Sequence, residues 1–82
     1  MDTTQINQKI KVGAVFDGNA VKPKWFIWIN KKFEIIKITM TWKSAEGLAT
    51  LTHFSVTDGN NLYELSFNRK TLEWLLEKVA VE

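Results

Sequence analysis

The chain has 82 residues, 45% of them hydrophobic and 12% aromatic, which bounds it to one globular domain with a thin core. It has no cysteine, which excludes disulfide frameworks, thiolate metal sites and cysteine nucleophiles, and its apolar runs are far too short for a membrane span. The net charge of +2 is unevenly divided: residues 1–43 hold eight lysines against Asp2, Asp17 and Glu34, and residues 44–82 hold Arg69, Lys70 and Lys78 against six acids. Such an asymmetry can steer an anionic ligand toward one side.

The opening "MDTTQINQK" is polar and has no apolar stretch of the kind a signal peptide needs, so a cytoplasmic location is expected. With nothing to bury, residues 1–8 are expected to form a disordered arm, and residues 9–82 the single domain. From Ile10 the pattern alternates: Ile10, Val12, Ala14 and Phe16 share one face of a half-buried strand. "DGN" at Asp17–Asn19 is a turn signal, because Gly and Asn accept positive φ. A second strand runs from Ala20 to Ile29. Pro23 lacks an N–H for the ladder, so the beginning of this strand belongs at an edge or a bulge. Asn30 to Lys32 make the next turn, and a third strand spans Phe33 to Trp42.

Lys43 to Ala49 reads as a loop, and Thr50 to Thr57 as a fourth strand. "DGNN" at Asp58–Asn61 marks another hairpin, which leads into a fifth strand, Leu62 to Phe67. The C-terminal segment admits two readings. A helix from about Arg69, capped by Asn68, aligns Leu72, Leu75, Leu76 and Val79 but turns Trp74 to water. A sixth strand after the turn Asn68–Thr71 puts Leu72, Trp74 and Leu76 on one face. Exposing a tryptophan forfeits roughly 2–3 kcal/mol of burial, so the strand is favoured. The expected fold is mainly β, a five- or six-stranded antiparallel meander curled into a small barrel; the alternative is α+β with the C-terminal helix.

Strict alternation divides the basic-aromatic stretch Lys22–Lys37 into two faces. Val21, Pro23, Trp25, Ile27 and Ile29 make the core side of the second strand, joined on the third by Ile36, Ile38, Met40 and Trp42. The opposite side carries Lys22, Lys24, Phe26, Trp28, Phe33, Ile35 and Lys37. Aromatic rings among lysines suit base stacking and phosphate contact. Lys22, Lys24, Phe26, Trp28, Phe33 and Lys37 are therefore the candidate binding residues, provided that no other part of the chain covers them. The partners such a face fits are single-stranded nucleic acid or another protein chain, a weak homodimer included.

No reaction is named by the sequence. His53 is the only histidine, with no cysteine, second histidine or carboxylate pair nearby in sequence to make it a metal ligand. Asp17 and Asp58 precede turn glycines, where capping the local backbone accounts for them. No phosphate-binding glycine loop is present. The expectation is a non-catalytic binding module with no cofactor and no metal.

Pro23, Phe26, Trp28, Phe33, Trp42, Tyr63, Leu65, Trp74 and Leu76 form a Pro-x-x-Phe-x-Trp … Tyr-x-Leu … Trp-x-Leu pattern over roughly residues 10–79. The pattern resembles a family of short bacterial β-rich domains of unknown function, some of whose members accompany lesion-bypass DNA polymerase accessory proteins. The resemblance implies a final strand instead of a helix and a connection with nucleic acid. It implies no catalytic residue.

Overall fold

Strands rich in Val, Ile, Thr and aromatic residues, punctuated by glycine and asparagine turns, build the whole of the described chain. A computed structural model describes residues 2–81. The strands are β1 (Asp2–Asp17), β2 (Ala20–Trp28), β3 (Lys31–Glu34), β4 (Lys37–Glu46), β5 (Ala49–Thr57), β6 (Asn61–Asn68) and β7 (Glu73–Val81). They form one seven-stranded sheet in the order β3-β2-β1-β7-β6-β5-β4, with every neighbouring pair antiparallel. Mainly-β is therefore right, but there are seven strands instead of five or six. Among the described residues no helix is long and apolar enough to cross a membrane.

The sheet is curled but not closed. Laid flat at ~4.8 Å per strand, its two edges β3 and β4 would lie about 29 Å apart. Yet only Ile35 and Ile36 join them, a link that reaches about 10 Å. The sheet must therefore wrap round to bring its edges together. The Ile35 amide donates to Lys24 of β2 at 3.0 Å, and the next amide, Ile36, donates to Thr57 of β5 at 2.9 Å. The chain thus passes from one edge of the sheet to the other within one residue. The expected third strand is broken at this crossing, and β3 and β4, placed end to end, share no ladder that would complete a barrel.

β1 carries the other half of the curl. Residues Asp2 to Ile10 pair with β7, and residues Lys11 to Asp17 pair with β2. The expected disordered arm over residues 1–8 is thus strand from Asp2 onward, with Met1 outside the described residues. Backbone pairing needs no apolar side chain, and β7 would otherwise be left with an open edge. Asn7, at φ 54°, makes a bulge in β1 opposite Glu77, where the ladder steps from Gln5–Lys78 to Gln8–Leu76.

At the C-terminus the strand reading holds. Asn68 Oδ1 accepts from the amides of Lys70 and Thr71, closing a turn over Arg69–Leu72. Trp74 is buried and Leu76 wholly so. Leu72, placed beside them by simple alternation, sits instead in the turn at φ 64° and is exposed. The expected loop Lys43–Ala49 is mostly strand: β4 pairs with β5 up to Glu46–Ala49, leaving Gly47 and Leu48 as the turn.

Phe26, Phe54, Val56, Tyr63, Leu65, Phe67, Trp74 and Leu76 make the core. Phe26 meets Tyr63 edge-on at 5.1 Å, which packs the β1–β2–β3 layer onto β6. Phe67 and Trp74, at 4.6 Å, fill the other end.

Candidate functional site

Beyond Pro23 the faces of β2 are the reverse of those that strict alternation gives. Val21 and Pro23 point into the core as expected. The ladder with β1 then steps from Ala14–Pro23 to Gly13–Trp25, so Lys24 is an extra residue on β2. A bulge of one residue turns every later side chain to the other face. Phe26 is 0% exposed, Trp28 and Phe33 are half-buried against the core, and Trp25, Ile27 and Ile29 point outward. The hairpin turn is Ile29–Asn30, with both residues at positive φ (54° and 57°), and it sets Phe26 across from Phe33.

Three of the six expected binding residues are therefore core-forming. Phe26 is sealed. Phe33 stacks on Phe26 at 5.1 Å and 10°, with the Lys31 ammonium 5.5 Å from its centroid. Trp28 tilts against Phe33, and its indole N–H donates to Gln8 Oε1 at 3.0 Å. Lys22 and Lys24 remain exposed on β2, and Lys37 is exposed beyond the crossing, at the start of β4.

The bulge puts a different aromatic outside. Trp25 lies against Gly13 of β1 so closely that a Cβ there would fall 2.1 Å from its Cε2 and 2.3 Å from its Nε1. Gly13 is needed to let the indole rest on the backbone. The Lys32 ammonium sits 5.2 Å from the indole centroid and pairs with Glu34 at 3.1 Å. On the same outward face the register places Lys11 beside Ile27 and Lys22 beside Val15. The outer surface of β1–β2–β3 thus carries one indole, a few aliphatic side chains, the lysines, and the carboxylates of Glu34 and Asp17. Beside it, Lys22, Lys43 and Arg69 line a cleft floored by Val21, Ile38 and Phe54. Arg69 is fixed there, donating to the Asn19 carbonyl at 3.0 Å and to Thr52 Oγ1 at 3.3 Å.

A second cluster lies on the outward face of β4–β7, where sequence reasoning saw only a lone histidine. A bulge at Thr39 in β4 turns Trp42 outward, beside His53 of β5. The two rings stack at 5.2 Å and 4°. Ser44 Oγ lies 2.7 Å from His53 Nε2. A bulge in β7 leaves Leu76 and Val79 facing the core with Glu77 and Lys78 turned outward between them. Glu77 Oε2 thereby comes within 3.2 Å of His53 Nδ1. That approach is not aligned for a hydrogen bond, so buried Nδ1 has no hydrogen-bond partner. Glu64 of β6 completes the group: one ligand atom from each of His53, Glu64 and Glu77 lie within 4.8 Å of one another. The carboxylate pair absent near His53 in sequence is supplied by two other strands.

Ser44, His53 and Glu77 stand in the order of a nucleophilic triad, but that chemistry also needs a cleft to hold an acyl group. Five depressions among the described residues are lined by other side chains, and neither Ser44 nor His53 borders these five. No family model, curated protein sequence or solved structure matches this chain.

Proposed function

We propose that the protein is a non-catalytic binding module that contacts single-stranded nucleic acid, weakly and with little regard to sequence, through the outward face of β1–β2–β3. The observation that carries this reading is Trp25: a half-buried indole supported from beneath by Gly13, with the Lys32 ammonium over it and with Lys11, Lys22 and Lys24 exposed on the same two strands. A base stacks on the indole as the exposed Lys32 ammonium leaves the ring and Glu34 for a phosphate. Lys22 and Lys24 hold the backbone on the way to the cleft that Lys43 and Arg69 share with Lys22. Stacking of this kind contributes about 1–3 kcal/mol per base.

The test is a fluorescence titration with oligothymidylate at two salt concentrations. Each single-strand phosphate contact lowers log K by about 0.7 per decade of salt, so three lysine contacts weaken binding about 20-fold between about 50 and 200 mM. Trp25→Ala should weaken it about 5- to 150-fold at fixed salt. If oligothymidylate leaves the emission unchanged at the lower salt, or if the Trp25→Ala protein binds as tightly, the reading fails.

A second reading has its own observation. Val15 and Ile29 are 49% and 72% exposed on or beside the same face. Apolar surface of this kind also suits another protein chain or a second copy. Association that survives or strengthens in high salt, measured by sedimentation, would favour it.

A further inference from the structure

We propose that His53, Glu64 and Glu77 form a binding site for a divalent transition-metal ion of the zinc type, on the outward face of β5–β6–β7, on other strands than the lysine face. Three features converge on it. The donor atoms come from three adjacent strands and already lie within 4.8 Å of one another. Donors bound at 2.0–2.2 Å around a tetrahedral ion stand roughly 3.5 Å apart, so small rotations of two glutamate side chains close the site. In addition, His53 is 8% exposed, and its buried Nδ1 has no hydrogen-bond partner although it lies 3.2 Å from the Glu77 carboxylate. A buried polar atom without a partner is costly, and a metal lone-pair bond removes that cost.

The surroundings are those of a ligand histidine. Metal at Nδ1 requires the proton on Nε2, and Ser44 Oγ at 2.7 Å is placed to accept it, fixing that tautomer. Trp42 covers the imidazole face and holds the ring in plane. An imidazole nitrogen with two carboxylates balances a 2+ charge and favours zinc, cobalt or nickel over calcium or magnesium, which seek six or more oxygens. With three protein donors, one coordination position stays open to water.

Tag-free, metal-free protein, whose single histidine makes the result unambiguous, is titrated with zinc chloride by calorimetry. The expected result is one zinc ion per chain and a rise in Tm. Nickel chloride should quench the emission of Trp42, stacked on the ligand ring, and Trp42→Phe should lose that part of the quenching while retaining zinc binding. The double variant Glu64→Gln/Glu77→Gln, two near-isosteric changes at half-buried positions checked for folding by circular dichroism, should bind zinc about 100-fold more weakly or worse, since even outer-shell losses cost 10–100-fold. The proposal is overturned by the absence of saturable zinc binding, by undiminished binding in the folded double variant, or by calcium or magnesium binding as tightly as zinc.

Discussion

Replacing Gly13 with alanine tests the packing on which the outward face depends. The new methyl would fall 2.1–2.4 Å from three atoms of the Trp25 indole. Ordinary carbon contacts need about 3.5 Å, so the ring must lift by more than about 1 Å. If about 80 Å² of apolar surface is thereby wetted, the loss is about 2 kcal/mol. Gly13 is not in the positive-φ region, so alanine gains about 0.4–1 kcal/mol by narrowing the unfolded ensemble. The net expectation is a destabilisation of about 1 kcal/mol and a fall in Tm of about 4–8 °C. A red-shifted emission and weaker oligothymidylate binding should accompany it. The decisive measurement is the same substitution in a Trp25→Ala background, where the clash is gone and Gly13→Ala should turn neutral or stabilising. Equal effects in both backgrounds, or a rise in Tm in the wild-type background, would refute the reasoning.

The wholly buried Phe26 should be far more sensitive than an outward aromatic: Phe26→Ala should cost about 3–5 kcal/mol, readable in urea melts, and a loss under about 1 kcal/mol would restore the unbulged register. Asp58 predicts a pH effect. Burial acts to raise its carboxyl, but the amides of Asn61 and Asn60 and the Tyr63 hydroxyl outweigh this and hold it below the ordinary value. A folded-state pKa below the unfolded one (about 3.9) stabilises the fold above that pH and ceases to as pH falls through the folded value. The stability advantage of wild type over Asp58→Asn should therefore be full near pH 6 and shrink toward pH 2; a constant difference across that range would contradict it. At neutral pH, Asp58→Ala should cost about 2 kcal/mol through three lost hydrogen bonds, again by urea melts.

Much of the architecture was legible in the chain. The glycine-asparagine turns marked two hairpins, and Tyr63, Leu65 and Phe67 fell on one buried face as their spacing demanded. The demand of Trp74 for burial decided strand over helix at the C-terminus. What failed was the assignment of faces on β2, and with it the expected site. Alternation is a count, and one inserted residue reverses it. Pro23 did signal irregularity, and the bulge lies at the very next residue, where β2 has begun to leave β3 behind. The parity between β2 and β3 was right, since Phe26 and Phe33 do share a face. Only which face met the core was inverted. The histidine cluster had no local signal at all: its members are 11 and 13 residues apart along three strands, and a bulge at Glu77 in β7 aims that carboxylate at the other two.

By itself the sequence determined that this is an antiparallel β protein with its turns in given places and its lysines gathered toward the N-terminal half. Those properties reside in residues close along the chain. Tertiary structure alone decided which ring faces water, how a seven-stranded sheet curls to bring its edges within two residues of each other, and which carboxylates meet His53. Bulges and long-range pairing set those outcomes, because their free energy is fixed by the fit of distant strands around one small core.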